Sequence, residues 1–86
     1  MPTVGYFDGF RFFFYSNENQ SGPRPEPPHL HVEKYGRTCE FWLSPVAPKA
    51  AGDMPPQERK RIERLVTAHR PACVAKWNAF FGTAHE

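Results

Sequence analysis

The chain has 86 residues, of which 40% are hydrophobic and 15% aromatic, and its eleven Lys and Arg against nine Asp and Glu give a net charge of +2. This near balance differs from the strongly basic surface of a typical nucleic-acid-binding domain, and the many aromatic residues exclude a chain that is disordered throughout. The length fits one domain, residues 1–86. Because there is no long apolar run and no signal peptide, we expect no membrane segment and a cytoplasmic location, where Cys39 and Cys73 are free thiols.

Two strands are predicted at the start of the chain, over residues 3–7 and 10–16, joined by the turn-forming pair Asp8-Gly9. Alternate residues of a strand point to opposite faces. The second strand therefore places Phe10, Phe12 and Phe14 on one face and Arg11, Phe13 and Tyr15 on the other.

Residues 17–28 are predicted to be a flexible proline-rich loop, because four prolines and no apolar periodicity suit neither a sheet nor a packed helix. After this loop, residues 30–34 and 38–43 are predicted to form a second hairpin that turns at Tyr35-Gly36-Arg37. One face of this hairpin would carry Leu30, Val32, Cys39, Phe41 and Leu43, and the other would carry His29, His31, Glu33, Glu40 and Trp42.

Residues 44–56 are rich in Pro, Gly and Ala and are predicted to be a connection, and from residue 56 to residue 82 the apolar pattern becomes helical. Pro71 interrupts that pattern, which predicts either a kinked helix or two helices, and we favour a break. The apolar stripe consists of Ile62, Leu65, Val66, His69, Cys73, Trp77 and Phe80, all expected in the core. The predicted fold is α+β: a four-stranded, mostly antiparallel sheet of two hairpins, packed by one kinked or two C-terminal helices.

Several segments together resemble a known family: FRFFFYSNE, PPHLHVEK, CEFWL and WNAFFG. Over residues 2–82 they are similar to the small bacterial family recorded as domain of unknown function 4160. Members of that family often occur beside another small protein, in an arrangement similar to toxin–antitoxin pairs. The resemblance therefore implies a small bacterial interaction protein, one component of such a pair, and supplies no catalytic residues.

Large aromatic side chains beside an arginine are expected on the sheet face opposite the helices, and the alternative is that a helix covers this face too and both faces are core. Exposed aromatic patches on small domains usually mark interfaces, and Tyr, Trp and Arg dominate their energetics. The expected partner is a small protein or a second copy of the chain, with RNA as an alternative through base stacking. The residues predicted to contact the partner are Arg11, Phe13, Tyr15 and Trp42.

His29, His31 and Glu33 alternate along one strand and share a face, which suggests a site for a divalent metal such as zinc. A further ligand would come from Glu40 on the neighbouring strand or from His69. The interpretation that the sequence favours over a metal site is a pair of surface histidines next to Glu33, Glu40 or Trp42. A metal-dependent or RNase-type hydrolase would use the same cluster, but the sequence offers no second acid–base group or oxyanion donors, so we expect a binding protein rather than an enzyme.

Overall fold

The computed structural model describes residues 2–16 and 25–86, which form one antiparallel sheet and two helices. The strands follow one another across the sheet in chain order. The elements are β1 (Thr3–Phe7), β2 (Phe10–Phe13), β3 (His29–Lys34), β4 (Arg37–Leu43), β5 (Val46–Ala50), α1 (Pro56–Ala68) and α2 (Arg70–Phe81). The α+β prediction is confirmed, but the sheet has five strands rather than four. Of the predicted flexible loop, residues 17–24 lie outside the described residues.

The additional strand, β5, lies inside the segment 44–56 that the sequence predicted to be a connection. It pairs with β4, with Ala47 opposite Trp42 and Val46 opposite Leu43. Pro48 lacks the N–H that a central strand needs, but an edge strand tolerates it, and β5 is at the edge of the sheet. The residues that indicated a loop therefore belong to an edge strand.

Each hairpin that the sequence predicted closes through a two-residue turn. Asp8 and Gly9 have φ of 54° and 82°, and Tyr35 and Gly36 have φ of 53° and 75°. Two consecutive left-handed residues are what a type I′ turn requires, and its twist matches that of the flanking strands. These turns set the register that separates the two faces of the sheet.

The helices pack on one face of the sheet, which we call the core face. α1 lies against β4 and β5, and α2 lies against β1 and β4. The predicted core face is confirmed, but Phe13 and His29, which were predicted on the opposite face, are buried as well. The core face contributes Phe10, Phe12, Leu30, Val32, Cys39, Phe41 and Leu43, and the helices contribute Ile62, Val66, Cys73 and Val74, all buried in one cluster.

The predicted helix break is present. α1 ends at Ala68, and Pro71 lies in the first turn of α2, where its missing N–H costs no hydrogen bond. Between the helices, the ring of His69 stacks on Phe7 with centroids 3.9 Å apart. Gly82 ends α2 with φ of 67°. Neither helix in the described part of the chain is long and apolar enough to cross a membrane.

One predicted core residue of the helical stripe is wrong. Phe80 is 47% exposed, and its ring has edge contacts with Phe14 and Phe81, with centroids 5.8 and 5.0 Å apart. The ring of Phe81 packs against Trp77 instead, with centroids 4.5 Å apart. In the last turn of α2 the apolar stripe therefore faces solvent, because this part of the helix no longer lies over the sheet.

The segment between β5 and α1 is held against the start of β4. The Thr38 backbone N–H donates to Asp53 Oδ1 at 2.8 Å. Gly52, with φ of 55°, lies so close to the Thr38 carbonyl that any Cβ would collide with it. Glycine at this position therefore lets the chain reverse against β4 before α1 begins.

The two buried cysteines give a prediction about reactivity and pH. Burial raises the pKa of the Cys39 thiol to about 11 and that of the Cys73 thiol to about 12. Because the thiolate is the reactive form, we expect iodoacetamide near pH 8.5, just below the ordinary thiol pKa of 9.0, to leave both unmodified in the native protein. In concentrated guanidinium chloride both should be alkylated quickly, as mass spectrometry would show. Equal labelling rates in the two conditions would contradict the buried placement.

The same shifts predict how the free energy of unfolding depends on pH. The folded pKa values lie above the ordinary value of 9.0, so the thiols favour the folded state fully below pH 9. Above it the unfolded chain loses its thiol protons first, and this contribution falls until the folded pKa values are passed. Urea unfolding at increasing pH would measure this effect. The free energy of unfolding should fall less above pH 9 in Cys73→Ala than in the wild type.

Candidate metal centre

His29, His31 and Glu40 come together on the sheet face opposite the core face, which we call the outer face, and the Trp77 ring of α2 contacts His29 there. The two histidines are two residues apart on β3, so both side chains point outward, and Glu40 of β4 is directly opposite His31. One ligand atom from each of the three lies within 4.8 Å of the others. We call these three residues the His–Glu cluster.

His29 is held in place by packing and by a backbone contact. Only 1% of the residue is exposed, and its ring lies 5.8 Å from that of Trp42 and 5.1 Å from that of Trp77. Nδ1 is 3.1 Å from the Pro27 carbonyl oxygen. Because a carbonyl only accepts, Nδ1–H is the donor, and the lone pair that a metal requires is then on Nε2.

His31 is oriented by two aromatic neighbours. Its ring stacks on Phe13 at 5.5 Å and meets Tyr15 edge-on at 4.7 Å. Its Nδ1 is 3.8 Å from Glu40 Oε1. In a tetrahedral site with bonds near 2.1 Å, ligand atoms are about 3.4 Å apart, so this pair is close to the spacing that coordination needs.

Glu40 has a second neighbour that determines the charge of the site. Lys49 of β5 donates from Nζ to the same Glu40 Oε1 at 3.1 Å. The Lys49 ammonium also lies 5.1 Å from the centroid of the Trp42 ring. One carboxylate and one ammonium thus balance each other beside the two imidazoles.

Glu33, the carboxylate that the sequence placed with the histidines, does not join the cluster. It is on the outer face, as predicted, but its cross-strand neighbours are Arg11 and Thr38. The Arg11 guanidinium is 4.0 Å from the Glu33 carboxylate. His69, the other suggested ligand, stacks on Phe7 at the core side. The carboxylate beside the histidines is therefore Glu40, which the sequence analysis named as an additional ligand.

The residues predicted to contact a partner have different degrees of exposure. Tyr15 is 42% exposed, whereas Phe13 is only 3% exposed and has the Arg11 guanidinium 4.4 Å from its ring centroid. Arg11 and Trp42 are both partly buried. Phe13 is therefore too buried to contact a partner directly, and its ring packs under the Arg11 guanidinium.

Trp77 is part of the site, although the sequence indicated only a core residue. It is fully buried, and its ring contacts both His29 and Phe14, with centroids 5.1 and 5.4 Å apart. Its Nε1–H has no hydrogen-bond partner among the described residues. A helical stripe predicts burial but not which strand residue the ring meets, so no sequence signal identified this contact.

A family model described as "Domain of unknown function (DUF4160)" matches residues 9–78. The match includes all three residues of the His–Glu cluster together with Lys49 and Trp77. No curated protein and no solved structure matches the chain.

The unequal burial of the two histidines leads to a prediction about stability. We expect His29→Ala to lower the free energy of unfolding by about 3 kcal/mol, because it removes a buried ring and its hydrogen bond. His31→Ala, at a half-buried position, should cost about 1 kcal/mol. Urea unfolding followed by circular dichroism, without added metal, would measure both. Equal losses of stability in the two variants would show that the deeper burial of His29 does not stabilise the fold more than the position of His31 does.

Proposed function

We propose that this protein, which belongs to the DUF4160 family, binds a divalent transition-metal ion through the His–Glu cluster. The observation that carries the proposal is the convergence of His29, His31 and Glu40, whose ligand atoms lie within 4.8 Å of one another. The three come from adjacent positions on two paired strands, so the sheet itself fixes their spacing.

The donor set favours a particular class of metal. Two imidazole nitrogens and one carboxylate oxygen suit zinc, and also copper, nickel or cobalt, whereas calcium and magnesium prefer oxygen donors alone. Three protein ligands leave one position of a tetrahedral ion for water or an external ligand. Zinc is the ion that we expect the site to take.

The surroundings of the cluster support ordered ligation. His29 is held by the Pro27 carbonyl and by two indole rings, and His31 lies against Phe13 and Tyr15. Rings held in this way lose little side-chain entropy on binding a metal, so less of the binding free energy is spent on ordering them.

The binding of a protein partner through the predicted residues stays a prediction from the sequence, as does a place in a toxin–antitoxin-like pair. The exposure of Tyr15 is compatible with such a contact, whereas the burial of Phe13 assigns that side chain a supporting role. Metal ligation would join β3 to β4 on the same face and would stiffen any surface presented there.

The proposal predicts that the chain binds zinc with three specific ligands. Isothermal titration calorimetry of the metal-free protein with zinc should give one site per chain. His31→Ala and Glu40→Gln should each weaken binding at least about a hundredfold, because loss of a direct ligand should cost as much as or more than loss of an outer-shell partner. His31→Ala is the preferred histidine variant because His29→Ala also removes core packing.

Glu33→Gln is the matched control, because it makes the same chemical change on the same face of the sheet. It should leave zinc affinity within about twofold of the wild type, since Glu33 lies beside Arg11 and not in the cluster. A loss in Glu33→Gln with none in Glu40→Gln would favour the ligand set first predicted from the sequence. The absence of zinc binding by the wild-type chain would overturn the proposed function.

Both tryptophans of the chain flank His29, which provides an independent measurement. Copper or nickel in the cluster should quench the intrinsic fluorescence, and zinc should displace the quenching ion. Quenching that is unchanged in His31→Ala would indicate a metal bound elsewhere.

A further inference from the structure

Lys49 and a metal ion in the cluster would compete for the Glu40 carboxylate. The Lys49 ammonium is 3.1 Å from Glu40 Oε1, and His31 Nδ1 approaches that same oxygen at 3.8 Å. A cation bridging His31 and the nearer oxygen of Glu40 would coordinate an atom that already accepts a hydrogen bond from Lys49. The carboxylate is only 27% exposed, so water provides limited screening of these charges.

We propose that Lys49 is a built-in competitor of the metal ion and that its charge sets the metal affinity of the cluster. This inference rests on the proposed function and adds its regulation. In the metal-free protein the Lys49 ammonium neutralises the Glu40 carboxylate. When a metal ion binds, it replaces the ammonium beside that carboxylate.

The charges of the site support this role. With neutral imidazoles, the Glu40–Lys49 pair carries no net charge, so this pair exerts little long-range attraction on a dication. Coulomb repulsion between the ammonium and a bound dication a few ångströms away would oppose loading unless Lys49 moves. The affinity is therefore lower than two histidines and one carboxylate would give alone.

Lys49 also has an attraction that does not depend on Glu40. Its ammonium is 5.1 Å from the Trp42 ring centroid, and an indole face attracts a cation without needing the carboxylate. Lys49 is on the edge strand β5, where its long side chain can turn without disturbing a neighbouring strand. The exchange then requires only side-chain rotation.

The test compares zinc affinity by calorimetry in the wild type and three variants. Lys49→Met keeps the chain length but removes the charge, and we expect it to bind zinc about tenfold more tightly. Lys49→Arg keeps the charge and should stay within about threefold of the wild type. Lys60→Met makes the same change in net charge on α1, on the other side of the sheet, and should leave affinity unchanged.

The outcomes separate this inference from the proposed function. If the wild type binds zinc and Lys49→Met binds it equally or more weakly, the competitor role is wrong and the metal site stands. If only Lys49→Met binds zinc, the wild-type chain does not have the proposed function, and the inference that rests on it is overturned as well. Tighter binding in both Lys49→Met and Lys60→Met would show a general charge effect and overturn it. If no variant binds zinc, both proposals are wrong.

Discussion

The register of the β3–β4 pair is the constraint on which the rest of the structure depends. It places Val32 opposite Cys39 toward the helices and, in the next pair along, His31 opposite Glu40 away from them. Because side chains alternate with a period of two, a slip of one residue would turn the ligands into the core and the apolar residues out to water. Burial of the core thus fixes the positions of the ligands.

The sequence predicted those parts of the fold that local chemistry decides. Asp8-Gly9 and Tyr35-Gly36 specify tight turns, and the alternating phenylalanines of β2 specify a strand with one fully buried face. β5 was missed because its residues, Ala and Pro among them, have weak strand propensity, and only the neighbouring β4 makes them a strand. Phe80 was misplaced because helical periodicity does not show where the underlying sheet ends.

The candidate site was predicted less completely than the fold, because it depends on cross-strand and helix–sheet geometry. Periodicity alone puts His29 and His31 together, but it leaves both Glu33 and Glu40 on the same face. The choice between them requires the exact register: a four-residue turn over 35–38 would have placed Trp42 opposite His31 instead. The contact between Trp77 and His29 depends on the direction that α2 takes after the break at His69. No local sequence pattern specifies that direction.

Pro48 has a consequence for how the molecule behaves among its own copies. An edge strand normally presents a row of free N–H and C=O groups onto which a strand of another molecule can add. Pro48 has no backbone N–H to donate, so a second β5 would find one hydrogen-bond donor fewer along this strand. β5, which carries Lys49 of the candidate site, is therefore also the edge of the sheet, and it disfavours association of two molecules through this edge.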